Sequence, residues 1–208
     1  MLTKQIDSIV KWLTENVCDK ITLKVPDDYA NDGDYTVRLV HPAAFPLFLP
    51  TKERLPPSAP APIPSICVQL TEGNDELSEH LRTLQIRLCL ACWNPGEHGK
   101  EFYQPRENPS AIGGFSYYLI DDEEEQAYTR NMEGWRDSMN FADIVLREIE
   151  SAEYIGGMRV MKENGIRFGP FSEDGNIWDY YPYWNSWISF DLSAGIPSRS
   201  PAAYNHLL

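Results

Sequence analysis

Hydrophobic residues recur at helical spacing in two parts of the chain. The first stripe predicts an amphipathic helix at the amino terminus, and it consists of Leu2, Ile6, Ile9, Val10, Leu13 and Val17. The second stripe contains one polar exception, Glu148, and its members are Phe141, Ile144, Val145, Glu148, Ile149 and Ala152. We expect Gly156-Gly157 to end this second helix, because glycine is common just after a helix.

Alternating patterns predict strands between and after the two helices. "DYTVRLVHP" indicates a strand that Pro42 ends. "SICVQLT" and "RTLQIRLCLACW" alternate apolar and polar residues with period two, and the polar link "EGNDELSEHL" predicts that they pair as an antiparallel hairpin. "GMRVMKENGIRFGPF" indicates two short strands around Asn164-Gly165, which is a strong tight-turn signal.

The aromatic stretch "WDYYPYWNSWISFDL" contains the last predicted strand. One face, expected to be core, carries Trp184, Ser186, Ile188, Phe190 and Leu192. The opposite face, expected to be amphipathic, carries Tyr183, Asn185, Trp187, Ser189 and Asp191.

Two long segments lack periodicity. Residues 42–64 hold eight of the sixteen prolines, which excludes a helix interior or a central strand and favours an extended arm or a long ordered loop. Residues 94–134 include several Gly and Pro residues and an acidic run, and such a loop is functional, mobile, or an insertion with its own small structure. The sum predicts one α+β domain over residues 1–192, with a mostly antiparallel sheet, two helices on one face and a tail at 193–208.

The net charge of −13 argues against a nucleic-acid-binding surface, which needs Lys and Arg to displace counterions from phosphates. It suits a surface that nucleic acid passes without adhering. No apolar run approaches the length of a membrane span, and the first residues do not resemble a secretion signal, so the cytoplasm is the default expectation.

The search for chemistry identifies no catalytic residue, cofactor site or metal site. Cys89 and Cys92 form a CxxC pair, but in a strand their thiols point to opposite faces, so reduced structural cysteines are expected. Phosphate-binding and hydrolase motifs are absent, and the Glu97-His98 pair is a weak catalytic signal. Glu173, Asp174 and Asp179 flank the aromatic stretch and leave open a carbohydrate-binding or hydrolytic module using the Trp178–Trp187 aromatics.

The chain resembles the tail terminator, or tail completion, proteins of long-tailed bacteriophages and prophages, a kind of minor tail protein. The resemblance rests on the order of the elements and on three pieces: "PSICVQL" with "LQIRLCLACW", "GWRDSMNFADIVLREI", and "YYPYWNSWISFDL". It implies a structural protein of the virion tail, present in the bacterial cytoplasm during assembly. Such proteins form a homo-oligomeric ring, typically a hexamer, that caps the tail tube and meets the head-tail connector protein. Because segments 42–64 and 94–134 make this chain longer than compact members, another phage neck or tail component stays open.

A ring requires contacts between two different patches of each subunit, and aromatic residues favour interface cores. We therefore expect Phe45, Phe48, Tyr183 and Trp187 to contribute to the subunit interface. The acidic run is expected to face the lumen, where it would repel passing DNA; it comprises Asp121, Asp122, Glu123, Glu124 and Glu125.

Overall fold

A computed structural model describes residues 2–26, 37–56, 59, 61–94, 103–107, 109–110, 115–119, 134–173, 176–177 and 182–196. The helices are α1 (Leu2–Asn16) and α2 (Trp135–Ser151). The strands are β1 (Leu23–Pro26), β2 (Val37–Val40), β3 (Ala43–Pro46), β4 (Ser65–Glu76), β5 (Leu81–Trp93), β6 (Tyr103–Glu107), β7 (Phe115–Leu119), β8 (Tyr154–Ile155), β9 (Met158–Val160), β10 (Arg167–Pro170), β11 (Ser172–Glu173), β12 (Asn176–Ile177) and β13 (Tyr183–Gly195). Short 3-10 turns lie at Cys18–Lys20, Lys52–Arg54 and Lys162–Asn164.

The main sheet is built around three long strands, β4, β5 and β13, in the order β3-β4-β5-β13-β9-β8. Every pairing in it is antiparallel except that of β3 with β4. Since β5 pairs with β13 along its whole length, β9 and β10 share the other edge of β13 and follow one another along it. The prediction of an α+β fold with a mostly antiparallel sheet is confirmed.

Both helices pack on one face of this sheet and form the main core with it. α1 contributes Ile6, Ile9 and Leu13, at the predicted helical spacing. α2 contributes Phe141, Val145 and Ile149. Burial of one such side chain stabilises a fold by roughly 1.5–3 kcal/mol, so these two stripes account for the position of the helices. The polar exception in the second stripe, Glu148, forms an ion pair with Lys20 at 2.6 Å.

The predicted long strands are confirmed, including their buried faces. Leu84, Ile86, Leu88 and Leu90 of β5 are all buried in the main core, as alternation requires. On β13, Ile188, Phe190 and Leu192 are buried as predicted, while Trp184 is half-buried against the same core. The link between β4 and β5 is shorter than predicted, because β4 continues through a register shift between Leu70 and Glu72 as far as Glu76.

Two predictions around the end of α2 are wrong. α2 ends at Ser151, and Gly156-Gly157 is instead the two-residue turn that joins β8 to β9. The predicted hairpin around Asn164-Gly165 does not form: β9 and β10 each pair with β13, and a 3-10 turn at Lys162–Asn164 separates them. Both glycines of the observed turn have positive φ, 57° and 80°, which is the backbone that such a two-residue hairpin turn requires.

The two segments without periodicity contain strands that the sequence did not predict. Ala43–Pro46 is an edge strand parallel to β4, a position that tolerates proline because one side of the strand is unpaired. Within 94–134, β6 and β7 form a two-stranded antiparallel sheet and pair with each other rather than with the main sheet. This part of the insertion has a small structure of its own.

A joint of hydrogen bonds holds the two ends of the 95–133 insertion together. The indole Nε1 of Trp184 donates to the carbonyl oxygen of Asn94 at 2.8 Å. The Asn94 side chain donates through Nδ2 to Asp137 Oδ2 at 2.7 Å, and its backbone N–H donates to Pro182 O at 3.0 Å. Gly134 is buried directly against Asn94 and Trp184, so the chain leaves and re-enters the domain at one point.

Candidate interaction surface on the open face of the sheet

We call the side of the main sheet that faces away from α1 and α2 the open face. One row of paired residues marks it. In register across five strands lie Phe45, Cys67, Cys89, Trp187 and Gly169. Laterally paired residues share a face of a sheet, and none of the five belongs to the main core under the helices.

Part of the proline-rich segment covers the open face at the β3 end. Phe45 and Cys67 pack with Ala59 in a second, smaller cluster, against which Leu55 and Cys89 also lie. The segment therefore acts, in its described part, as an ordered cover over β3 and β4.

Beyond this cover the open face carries an apolar groove with a volume of about 420 Å³. Leu49 and Ile63 lie on the side of the proline-rich segment, and Phe171 and Tyr183 lie at the β13 side. The remaining lining comes from β4, β5 and β13 and consists of Ser65, Cys67, Cys89, Leu90, Ala91, Asn185 and Ser186.

Exposed aromatic side chains lie in the groove lining and next to it in sequence. Phe48, which directly precedes the groove-lining Leu49, is 77% exposed, and it follows Leu47, whose φ of 61° is unusual for a residue other than glycine. The Phe48 N–H donates to Pro46 O at 2.7 Å, which closes a tight turn that projects the ring. Phe171 and Tyr183, which line the groove, are 44% and 43% exposed. Large apolar side chains held in solvent next to a groove are typical of interaction sites.

The four residues predicted for the subunit interface lie in different environments. Phe48 and Tyr183 are exposed, and Trp187 is half-buried. Phe45 is only 5% exposed, because Ala59 and Cys67 enclose it. Phe45 is therefore a core residue with almost no surface left for a neighbouring subunit. The five predicted lumen residues, 121–125, lie outside the described part of the chain.

The two tryptophans of β13 are occupied by contacts within the chain. The Arg87 guanidinium lies over the Trp187 ring at 5.5 Å from its centroid, and Trp187 Nε1 donates to Pro170 O at 3.1 Å. Trp184 is fixed by its hydrogen bond to Asn94. Sugar stacking needs an accessible aromatic face, so these rings offer little support for a carbohydrate site; Trp178 lies outside the described residues.

A second cavity, of about 490 Å³, includes Cys18, Asp19 and His41 in its lining. His41 Nδ1 lies 2.8 Å from Ile21 O and 3.1 Å from Cys18 O, so this nitrogen carries the proton and ties the end of β2 to the turn after α1. Burial raises the pKa of the Cys18 thiol to about 12, so it forms little thiolate at neutral pH. These contacts assign His41 a structural role.

In the described part of the chain, no group of three or more His, Cys, Asp and Glu side chains is placed to hold a metal ion. Neither α1 nor α2 is long and apolar enough to cross a bilayer.

The groove was not predicted, because its residues come from segments that the sequence does not connect. Leu49 and Ile63 belong to the proline-rich segment, and Phe171 precedes the small β11–β12 sheet. The sequence held one signal for the groove: alternation places Cys67 on the same face of the strand as Ser65 and Gln69, away from the core. No protein-family model matches the chain, and no curated protein matches it either.

Proposed function

We propose that this protein is a non-enzymatic phage tail assembly subunit, similar to tail terminators, that forms a ring by self-association through its open face. The proposal joins the sequence resemblance to one observation: the helices cover one face of the sheet, while the other keeps an apolar groove beside exposed aromatic rings. The partners that follow from the resemblance are further copies of this chain, the tail tube protein and the head-tail connector protein.

The large apolar side chains around the groove support an assembly surface. Leu49, Ile63, Phe171 and Tyr183 flank the groove, and Phe48, the residue before Leu49, is an exposed apolar ring. Aromatic anchors of this kind are typical of the energetic centre of protein interfaces.

The charge of the chain fits the same role. With a net charge of −13, a ring of identical subunits would present an acidic surface to DNA passing along its axis. In this proposal the residues 121–125 belong to that lumen surface.

The first experiment measures self-association of the full chain. Native mass spectrometry and sedimentation velocity over a wide concentration series, with and without tail tube rings, are expected to reveal a closed ring. Replacing Phe48 and Tyr183 together by Ser should weaken that association, because truncating an interface anchor costs about 2 kcal/mol or more, roughly thirtyfold in the dissociation constant.

The matched control is Leu77→Ser. Leu77 is 74% exposed in the turn that joins β4 to β5, so the change removes exposed apolar surface away from the groove. If the control and the double variant lose the same amount of self-association, the open face is not the subunit interface. A chain that stays monomeric at every concentration and does not bind tube rings would contradict the assembly role.

A further inference from the structure

The open face brings two free cysteines together that are far apart in sequence. Cys67 of β4 and Cys89 of β5 are direct cross-strand partners in an antiparallel pair. Both line the apolar groove, and Cys89 is partly exposed while Cys67 is 8% exposed. The Cys89 thiol donates to Gln69 Oε1 at 3.5 Å, which places that sulfur toward β4.

The backbone spacing of this pair suits a disulfide. Directly opposite residues of antiparallel strands have Cα atoms about 4.5 or 5.5 Å apart, depending on the hydrogen-bonding position. Disulfides span Cα distances of about 4.4–6.8 Å, so the Cα spacing of both positions falls within the range of a disulfide. Since laterally paired side chains also leave the sheet on the same face, the two sulfurs can approach one another.

The other two cysteines have no such arrangement. Cys92 is fully buried under α2, and its cross-strand partner on β13 is Trp184. Cys18 is buried in the main core at the end of α1. The structure thus separates one paired, groove-lining dithiol from two isolated core thiols.

We propose that Cys67 and Cys89 form a dithiol site that small disulfides, such as oxidised glutathione, convert into a cross-strand disulfide in the folded protein. In the first step the Cys89 thiolate attacks one sulfur of the small disulfide, forms a mixed disulfide and releases one small thiol. In the second step the Cys67 thiolate attacks the Cys89 sulfur and releases the second small thiol. The two protein thiols are oxidised, the small disulfide is reduced to two thiols, and their two protons pass to the two leaving thiolates. The site does not depend on the assembly role.

The electrostatics of the groove set the pH dependence of this reaction. Burial, with the neighbouring Cys89 adding to it, raises the pKa of Cys67 to about 11. Burial also raises the pKa of Cys89, and Arg87 on the same strand opposes that rise. Tyr183 is the other titratable side chain among the described groove residues. Because the thiolate is the nucleophile, the rate should increase by nearly tenfold per pH unit while the pH stays below these pKa values.

The test treats the native full chain with oxidised glutathione at neutral and at mildly alkaline pH. We expect free thiols to fall from four to two, the intact mass to fall by two hydrogen atoms, and peptide mapping to recover a Cys67–Cys89 link. The link should form faster at the alkaline pH. One equivalent of phenylarsine oxide, a reagent that needs two adjacent thiols, should bind to the native chain and block the oxidation.

Two variants test which cysteine acts in each of the two exchange steps. Cys67→Ser should stop at a stable glutathione adduct on Cys89, whereas the control Cys18→Ser should still form the Cys67–Cys89 link. If the wild-type chain keeps four free thiols until it is denatured, or if mapping finds the link at another pair, the proposal is overturned. The wild-type measurement decides this even if a variant fails to fold.

Discussion

Gly134 shows how one residue can be fixed by packing alone. It precedes α2 with φ −54° and ψ −26°, a backbone that any residue adopts. A Cβ atom at this position, however, would overlap the carbonyl oxygen of Asn94 and the indole of Trp184. These are the two groups whose hydrogen bond holds the joint at the ends of the insertion. The glycine therefore permits the chain to approach the joint closely.

We expect Gly134→Ala to lower the free energy of unfolding by about 2–4 kcal/mol, because it combines overpacking with loss of a partly buried hydrogen bond. Urea unfolding followed by Trp fluorescence measures the change. The control is Gly169→Ala, since a Cβ there would meet the Trp187 ring at an ordinary 3.6 Å. If both variants unfold at the same urea concentration, the joint is looser than the structure indicates.

The cysteines show which features alternation could predict and which it could not. Alternation alone placed Cys89 and Cys92 on opposite faces, and the structure confirms this with Cys92 in the main core and Cys89 beside the groove. It did not predict the pairing of Cys67 with Cys89. Register depends on where the hairpin turns and on the shift between Leu70 and Glu72, and a polar link does not determine either.

Among the strands and turns, the glycines around 156 and 165 show that strand pairing in the whole sheet can override the local preference of a turn sequence. Asn164-Gly165 is a favoured hairpin dipeptide, yet the flanking strands β9 and β10 gain more by pairing with the long strand β13. Gly156 is held against α1, where a Cβ would lie 2.8 Å from the Ser8 Cβ. Which of the two sequences, Gly156-Gly157 or Asn164-Gly165, forms the hairpin turn depends on strand pairing in the assembled sheet. Local sequence alone therefore predicted the wrong hairpin.

The joint makes a prediction about the whole insertion. Replacing residues 95–133 by a short Gly-Ser linker should leave the domain folded, because Asn94 and Gly134 already meet and the contacts of Trp184 remain. Shortening the loop should raise the free energy of unfolding by up to about 2 kcal/mol, at about 0.6 kcal/mol per halving of loop length. Circular dichroism and urea unfolding measure the outcome.

The control for this deletion removes the joint as well as the insertion. Trp184→Phe in the shortened chain loses the hydrogen bond to Asn94 and should cancel the gain. A shortened chain that aggregates or unfolds without cooperativity would mean that the insertion contributes to the core.

For the whole molecule, the period-two and helical patterns predicted the fold class, the long strands and both helices, since those patterns follow from burial on one face. They could not predict the edge strand Ala43–Pro46 or the groove, because both depend on how the proline-rich segment folds back over the sheet. Alternation also could not predict that Phe45 is enclosed while Phe48 and Tyr183 are exposed.

The charge of the whole molecule yields a last prediction about assembly. In the proposed ring, subunits with a net charge of −13 would repel one another, while an apolar contact through the groove would attract them. The screening length falls from about 10 Å at 0.1 M salt to about 3 Å at 1 M, so added sodium chloride weakens the repulsion and leaves the apolar contact. We therefore expect the ring to form at lower protein concentration as salt rises, as measured by sedimentation velocity. The variant with Ser at positions 48 and 183 keeps the same charge, so it should show the same dependence on salt but associate more weakly at every salt concentration. Association that weakens with salt would instead identify attraction between opposite charges as its source, and the apolar groove would lose its assigned role.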